Sequence, residues 1–540
     1  MAEALEGETT EGTEEQGARA ESSAALMSVL VVVSRLTGFA RTWAQAYAMG
    51  ATVLASCYEV ANNMPTQIYE LVTAGMLVTA FLPVYLSVKR RLGQKGANDY
   101  VSNLTSIVVL ITGAVTLVSF AFAAQIIWTQ SFSAAKDFDS ALSVWFFRFF
   151  VIEIVLYALS TIFQGVVNAE RDYLWTFLAP IFNNLVVMAS FMGYSAFAQS
   201  MPKLALVILA IGNPLGVLVQ VLLQLPSMLS HGVRLRWRVD LSDPALKDTV
   251  KIGVPSIVVM VLGFVTNSFQ MNALLSFTAI GGSIGTYALL WFNLPYAVFA
   301  VPLTTVLFTE LSDYYASEDM ESFKDMVVTG TGKLAFALVP FAMFLAVFAR
   351  QLITLISAGR FEPDALELCV LYLVWRAPSL PFYGVGMYLQ KVCSATRKME
   401  LYAGASVVCG VVQVLLLQLV APSAGLWMVP FTSCVFYAVF DVIVYVWLRN
   451  TYGSLGLTKM VKGVVRAVAF GLAGSAVALA ILHVAQAYLG LGGGSLMDSL
   501  MLCVVAGIPA VLVTYGAAAA LRVPEASTVT TVVNRLLRRA

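Results

Sequence analysis

The sequence predicts an all-α polytopic membrane protein with about fourteen transmembrane helices. Hydrophobic residues make up 59% of its 540 residues and charged residues only 12%, about half of the roughly 25% charged residues that are usual in soluble domains. Apolar stretches long enough to cross the hydrocarbon core recur between residues 25 and 521. These stretches are continuously apolar and do not alternate, which favours helices over barrel strands.

Fourteen apolar segments can be placed along the chain. They are 25–50, 53–87, 102–127, 142–167, 173–198, 203–229, 252–279, 284–311, 332–357, 365–390, 400–421, 424–448, 462–489 and 497–521. An even number puts both termini on one side of the membrane, and short cytoplasmic loops are enriched in Lys and Arg. With both termini inside, 24 of the 32 Lys and Arg residues fall in cytoplasmic segments and 4 in the opposite loops. The charge distribution therefore predicts cytoplasmic termini.

The order of these segments predicts six parts of the chain. They are an acidic disordered cytoplasmic tail at 1–24, a first six-helix lobe at 25–229, a cytoplasmic linker at 230–251, a second six-helix lobe at 252–448, a C-terminal helix pair at 449–521 and a cytoplasmic tail at 522–540. An internal echo supports two related lobes, because Asn63-Met-Pro65 in the second segment recurs as Asn293-Leu-Pro295 in the eighth. Repeated units with broken helices are typical of secondary transporters.

Several kinds of site are not expected. The six cysteines have no C-x-x-C spacing and the two histidines have no second ligand nearby, which argues against a metal centre. There is no G-x-x-x-x-G-K-[ST] loop, no paired catalytic carboxylates and no nucleophile motif, so an enzyme is not predicted. The net charge of +1 gives no reason to expect nucleic acid. No cofactor is expected, and energy would come from an ion gradient, a membrane potential or a partner.

Polar residues inside the apolar segments are the candidate site. An arginine at mid-membrane costs roughly 2.5 to 3.5 kcal/mol, so embedded charges usually face a partner or a hydrated cavity. The first segment carries two arginines, the second a stripe of polar residues that includes Gln67, the fourth Arg148 and Glu153, and the tenth one arginine. The predicted head-group cavity residues are Arg35, Arg41, Glu59, Asn63, Glu70 and Arg376.

Two interpretations of these residues remain open. In the first, they line a hydrated cavity whose cations hold an anionic head group. In the second, Arg35 and Arg41 pair with the carboxyl groups of Glu59 and Glu70 as structural contacts, or extend to an interface. A separate basic stretch, Arg234-Leu-Arg236-Trp-Arg238, is typical of an interfacial anchor to anionic lipids, and a simple orientation signal explains it equally well.

Two blocks of sequence carry a family resemblance. Ser34-Arg35-Leu36-Thr37-Gly38-Phe39-Ala40-Arg41, followed by Met64-Pro65 and Ala80-Phe81-Leu82-Pro83, resembles the MurJ/MviN family of lipid II flippases, within a larger superfamily of transporters. Gly359-Arg360-Phe361 and Ala395-Thr396-Arg397 resemble that family's loops before and after the tenth helix. The resemblance spans all fourteen predicted helices in order and length.

The resemblance implies two pseudo-symmetric six-helix lobes around a central cavity, with the two C-terminal helices forming a groove for a lipid tail. It implies a bacterial inner-membrane protein that carries an undecaprenyl-diphosphate-linked peptidoglycan precursor from the inner to the outer leaflet by alternating access. Cell-wall biogenesis, cell shape and contacts with wall-synthesis enzymes are implied as well. Arg35 and Arg41 match the family's cavity arginines, which are thought to hold the diphosphate, and several fixed cations suit that group.

The chain departs from the family pattern at four positions. The usual acid after the second arginine is Thr42, an acidic position before the second helix is Ser56, and two basic positions are Tyr69 and Leu290. We therefore expect Arg376 to supply a substitute cation in the second lobe, with the nearby Pro378 turning it inward. Two alternatives to a flippase are a drug or metabolite exporter of the same superfamily and a non-transporting scaffold for wall synthesis.

Overall fold

The computed structural model describes residues 30–491 and 494–526, and within them every regular element is helical. The predicted tail at 1–24 and the part of the predicted C-terminal tail beyond residue 526 lie outside the described residues. The α-helices are α1 (30–49), α2 (Val53–Tyr69), α3 (Gly75–Ala121), α4 (Ala123–Ser131), α5 (Ser140–Phe150), α6 (Glu153–Ala169), α7 (Tyr173–Phe197), α8 (Pro202–Ser230), α9 (Pro244–Phe277), α10 (Gly281–Pro295), α11 (Val301–Ala316), α12 (Met320–Val347), α13 (Ala349–Ser357), α14 (Pro363–Arg376), α15 (Ser379–Ala395), α16 (Met399–Leu415), α17 (Ala421–Ala424), α18 (Met428–Tyr452), α19 (Leu457–Leu489), α20 (Leu496–Val511) and α21 (Ala517–Ala520).

The helices confirm the predicted all-α membrane fold. Among the described residues, ten helices are long and apolar enough to cross a membrane, or up to twelve if two bent pairs each form one span. One of the ten, Ala80–Ala121, contains a break at Gly93, whose φ of 68° is in the left-handed region that favours glycine. The predicted number of fourteen spans stays a prediction.

Breaks in the helices recur at corresponding places in the two halves of the sequence. The second and eighth predicted segments each contain a proline followed by a π-helical turn, at Glu70–Ala74 and Tyr296–Ala300. The fourth and tenth are each broken, with a bend of 40° between α5 and α6 and of 49° between α14 and α15. The repeat suggested by the two Asn-x-Pro motifs therefore extends to the positions of the bends, which lie six segments apart.

Two compact units form, and neither is continuous in sequence. Of the described residues, unit 1 contains 30–48, Ala61–Ala123 and Val144–Ile257, and unit 2 contains Met49–Val60, Ala124–Ser143, 258–491 and 494–526. The lobe boundaries predicted from the sequence stay a prediction.

Unit 1 is held together by close helix packing and by a polar connection between α3 and α6. The helices α7 and α8 approach closely because α8 carries glycines, and a Cβ atom on Gly212 would lie 2.2 Å from the Cβ atom of Ser190. At the end of α6, the Glu170 carboxylate accepts hydrogen bonds from Lys89 at 2.5 Å and from Tyr85 at 2.6 Å, both on α3. This ion pair is largely buried on the glutamate side, where 10% of the side chain is exposed.

Unit 2 has its apolar core where α12 packs on the C-terminal helices. The buried cluster includes Phe336, Phe344 and Phe348 from the α12 region and Leu502 and Ala506 from α20. Unit 2 also includes two short stretches from the first half of the sequence. Asn272 on α9 binds Ser133 through two hydrogen bonds of 2.7 Å, one to its backbone N–H and one to its hydroxyl.

Candidate functional site

The first helix places the two predicted arginines at different depths of unit 1. Arg35 is exposed and Arg41 is half-buried. The helix is joined to α7 by a hydrogen bond of 3.1 Å from the Asn184 amide to the Thr37 hydroxyl. Thr42, the residue after the second arginine, is buried and donates to a carbonyl group of its own helix at 3.4 Å. Arg41 is therefore the better placed of the two to act on buried groups.

Arg41 acts on a buried carboxyl group that does not belong to the predicted site. Its positive charge interacts with Glu153 and with the neighbouring Tyr157. Glu153 is the first residue of α6, directly after the bend, and is 0% exposed. Its Oε2 atom accepts hydrogen bonds from the Tyr157 hydroxyl at 3.2 Å and from the Asn213 amide at 3.5 Å. Its Oε1 atom is buried and has no hydrogen-bond partner in the described structure.

The polar stripe of the second segment is divided between the two units. Glu59 is 4% exposed, belongs to unit 2 and accepts a hydrogen bond of 2.9 Å from Thr286 on α10. Asn63 and Gln67 are half-buried in unit 1, and the side-chain amide of Gln67 is buried without a hydrogen-bond partner in the described structure. Glu70 is exposed at the start of the π-helical turn. A π-turn inserts an extra residue and rotates the rest of the helix, so regular spacing in sequence does not guarantee one continuous face.

Two positions where the family has basic residues hold Tyr69 and Leu290 in this chain. The Tyr69 hydroxyl forms a hydrogen bond of 2.6 Å with Thr161 on α6, and its ring centroid lies 6.0 Å from that of Tyr157. Leu290 is half-buried on α10. Tyr69 therefore adds a polar but neutral contact to the same helix that carries Glu153.

Arg376 lies in unit 2 at the break between α14 and α15, surrounded by aromatic rings. Its guanidinium carbon is 4.8 Å from the ring centroid of Phe292 on α10. The charge also acts on Tyr372, Tyr383 and Tyr437, and Tyr383 lies 5.0 Å from Tyr437 between ring centroids. The Nε and Nη1 atoms are buried without a hydrogen-bond partner in the described structure. The result is a half-buried cation that lies over the Phe292 ring and has two buried, unused donor atoms.

The sequence identified Glu153 as an embedded charge but did not place it in the site, and it missed Tyr157 and Asn213 altogether. Tyrosine and asparagine inside an apolar helix are too common to signal a site by themselves. The signal that could have found them is the carboxyl group, because a glutamate in an apolar segment needs polar neighbours. Among the described residues, no three His, Cys, Asp or Glu side chains converge as metal ligands.

Comparison with known proteins identifies a family from the sequence. The family model described as lipid II flippase MurJ matches residues 45–497. A lipid II flippase MurJ from Burkholderia cenocepacia is 24% identical over 374 residues, which cover 67% of this chain and 69% of the relative.

Two solved structures share the fold. One, described as lipid II flippase MurJ in an inward closed conformation, has a TM-score of 0.73 at 16% identity and covers 92% of this chain and 99% of its own. The other, an inward-facing multidrug resistance MATE family transporter of the MOP superfamily, has a TM-score of 0.59 at 13% identity and covers 77% of this chain and 99% of its own. Both structures share the fold of this chain, and the first covers the larger share of it. With a family model that matches most of its length, this chain belongs to the lipid II flippase MurJ family.

Proposed function

We propose that the protein moves a polyprenyl-diphosphate-linked peptidoglycan precursor from the inner to the outer leaflet of the bacterial inner membrane by alternating access. The observation that carries this proposal is the pair of embedded cations, Arg41 in unit 1 and Arg376 in unit 2, each among buried polar or aromatic groups. An arginine kept within an apolar helix at a cost of a few kcal/mol implies a function that uses its charge. A diphosphate suits guanidinium groups, which bind it through two parallel hydrogen bonds.

In unit 1, Arg35 and Arg41 are the proposed contacts for the diphosphate, with Asn63 and Glu70 toward the sugar. In unit 2, Arg376 serves in place of the family's arginine at Leu290, and its free Nε and Nη1 donors support this role. Glu59 is proposed to contact the head group as well as Thr286. An exporter of small molecules would not need so many fixed cations, and a scaffold would not need any.

The prenyl tail is proposed to lie in an apolar groove of unit 2. A cavity of about 550 Å³ is lined largely by aliphatic and aromatic side chains of α12, α15, α18 and α19, among them Val339, Phe382, Val442 and Val464. Apolar tails gain free energy from such contacts at about 0.8 kcal/mol per buried methylene group. Val464→Trp should fill the groove and slow transport of lipid II, while binding of inorganic diphosphate stays unchanged.

The decisive experiment is complementation of a bacterium depleted of its own lipid II flippase, together with a flipping assay in proteoliposomes. The wild-type chain should support growth and flip lipid II. The double variant Arg35→Ala, Arg41→Ala should insert into the membrane but fail in both assays. A matched control is Arg91→Ala, since Arg91 is an exposed arginine of the same unit that lies outside the predicted apolar segments. Normal growth with the double variant would contradict the proposal and leave only a structural role for these arginines.

Orientation, partners and energy source complete the proposal. Both termini are cytoplasmic, in keeping with the distribution of Lys and Arg. Arg234 and Arg236 are exposed beside Trp237, which is 68% exposed, and this arrangement supports an anchor to anionic lipid. The backbone of that loop is fixed to α3, because Ser102 accepts a hydrogen bond of 3.0 Å from the Arg236 N–H. Wall-synthesis enzymes are the proposed protein partners, and an ion gradient or membrane potential is the proposed energy source.

A further inference from the structure

A basic cavity lies in unit 2, apart from both the proposed head-group site and the proposed tail groove. Its volume is about 450 Å³, and it is bounded by the first half of α12, the start of α19 and the short 3₁₀ turn Pro524–Ala526. On α19 it is lined by Lys459, Lys462 and Arg466, whose spacing places them on one helix face. The tail groove uses the opposite face of the same helix, at Leu457, Met460, Val464 and Val468.

The lining of the cavity carries more positive than negative charge. Four basic side chains line it, Lys333 on α12 and the three on α19, against the carboxylates of Asp325 and Glu525. Lys459 pairs with Asp325 at 2.9 Å in an exposed contact. Neither Lys333 nor Lys462 forms an ion pair within the described residues. Two lysines of the cavity are therefore available to a further anion.

The chain already places one oxyanion in the cavity. The Glu525 carboxylate accepts hydrogen bonds from Nη1 of Arg466, at 3.1 Å to each of its two oxygens, and 14% of its side chain is exposed. Two glycines make room for it, because a Cβ atom on Gly463 would lie 3.2 Å from Glu525 Oε1 and 3.6 Å from the Cα atom of Gly332. The cavity thus accommodates an oxyanion, and Glu525 supplies one from within the chain.

The surroundings of the cavity favour the phosphate group of a lipid over an ion from solution. Both α12 and α19 are apolar enough to cross a membrane, and the cavity lies toward the beginning of each. Lys462 is exposed, and the same face of α19 continues with Val465 and Leu472, which are 60% and 57% exposed. A lipid with its phosphate at Lys462 would have its acyl chains beside these aliphatic side chains, a contact that phosphate in solution cannot make.

We propose that this cavity binds the phosphate group of an anionic membrane phospholipid. Lys333 and Lys462 supply two of the cations, and the phosphate takes the place of the Glu525 carboxylate on Arg466. A guanidinium group binds the oxygens of a phosphate as it binds those of a carboxylate. Glu525 is therefore an internal competitor that weakens lipid binding. With the predicted topology the bound lipid belongs to the cytoplasmic leaflet, and the inference does not depend on the proposed transport activity.

The test is native mass spectrometry of the full-length protein in detergent, titrated with dioleoylphosphatidylglycerol. Because Arg234 and Arg236 are a second proposed anchor for anionic lipid, every protein in the comparison carries Arg234→Gln and Arg236→Gln. Dioleoylphosphatidylcholine has the same acyl chains and no net charge, so it measures binding to apolar surface alone. Inorganic phosphate added in competition measures the preference for a free ion.

Two variants should change the affinity for phosphatidylglycerol in opposite directions. Lys333→Gln combined with Lys462→Gln should weaken binding about fivefold for each lysine lost, as expected for a basic residue near an anionic surface. Glu525→Gln should strengthen binding about fivefold, because Arg466 is then available to the phosphate. A gain in affinity cannot result from misfolding, so this variant provides the test if the lysine variant does not fold. The matched control is Lys398→Gln, an exposed lysine of the same unit outside the cavity, which should leave binding unchanged.

The outcomes decide the site and the source of the phosphate. Weaker binding by the lysine variant and tighter binding by Glu525→Gln, with phosphatidylcholine binding unaffected, support the proposal. Equal losses in the lysine variant and in Lys398→Gln overturn it in favour of general surface charge. Unchanged or weaker binding by Glu525→Gln overturns the exchange with Glu525 and with it the proposal. Displacement of the lipid by inorganic phosphate at a similar concentration overturns the lipid as the ligand and leaves a site for free phosphate.

Discussion

Replacing Arg376 by methionine should make the protein more stable and stop it from transporting. Methionine is unbranched, flexible and uncharged, so it can pack against the Phe292 ring in place of the arginine stem. The buried Nε and Nη1 atoms lack hydrogen-bond partners in the described structure, and each unsatisfied donor costs about 1–3 kcal/mol. The contact with Phe292 at 4.8 Å offsets up to about 2 kcal/mol of that cost.

Two such donors cost about 2–6 kcal/mol together, so with the ring contact subtracted the balance favours the methionine variant by about 0–4 kcal/mol. Replacement of buried ions by apolar side chains without loss of stability is consistent with this sign. Thermal unfolding of the purified protein in detergent should therefore show an increase of a few degrees in the midpoint temperature. In proteoliposomes, the same variant should flip lipid II at least about tenfold more slowly, a loss of about 1.4 kcal/mol in transition-state stabilisation.

The control for Arg376 is Arg350→Met, since Arg350 pairs with Glu367 at an exposed position. Exposed ion pairs contribute at most about 1 kcal/mol, so this variant should unfold close to the wild-type temperature. A lower unfolding temperature for Arg376→Met would refute the reasoning, because the arginine would then be a net stabilising contact. Transport at the wild-type rate would refute its role as the cation of unit 2.

Three further predictions concern stability and topology. Burial raises the pKa of Glu170, but the hydrogen bonds from Lys89 and Tyr85 outweigh it, so the pKa lies below its usual value of 4.5. Glu170→Gln should thus be about 1 kcal/mol less stable than the wild type at pH 7. The difference should vanish in unfolding measurements as the pH falls below about 4.5 through the folded-state pKa, and a constant difference would argue against the ion pair. Gly474→Ala should lower the free energy of unfolding by about 1–3 kcal/mol, because its Cβ atom would lie 2.8 Å from a backbone carbonyl oxygen of α20. The control is Gly507→Ala, which should be neutral because its Cβ atom would have no neighbour closer than 3.9 Å. In intact cells, a membrane-impermeant thiol reagent should label cysteines placed in the loop that contains residue 360 but not cysteines placed at either terminus, and labelling of a terminus would contradict the predicted topology.

The sequence alone determined the class of fold and the family, for reasons that are local. A helix that crosses a membrane must be apolar over most of its length and must satisfy its own backbone, so composition and segment length reveal it directly. The bends were also readable in part, because Pro65, Pro295 and Pro378 each lie within a few residues of a break or a π-turn. Short motifs such as the one ending in Arg41 identified the family without any knowledge of contacts.

Only the tertiary structure decided which polar groups share an environment. Regular spacing along α2 suggested one polar face, but Glu59 binds Thr286 while Asn63 and Gln67 belong to the other unit. The buried carboxyl group on which the charge of Arg41 acts is Glu153, more than a hundred residues away along the chain. In an apolar helix the sequence shows that a charge is present and needs compensation. Its partner is set by which helices pack together, and that depends on side-chain fit summed over the whole fold, which no local pattern contains.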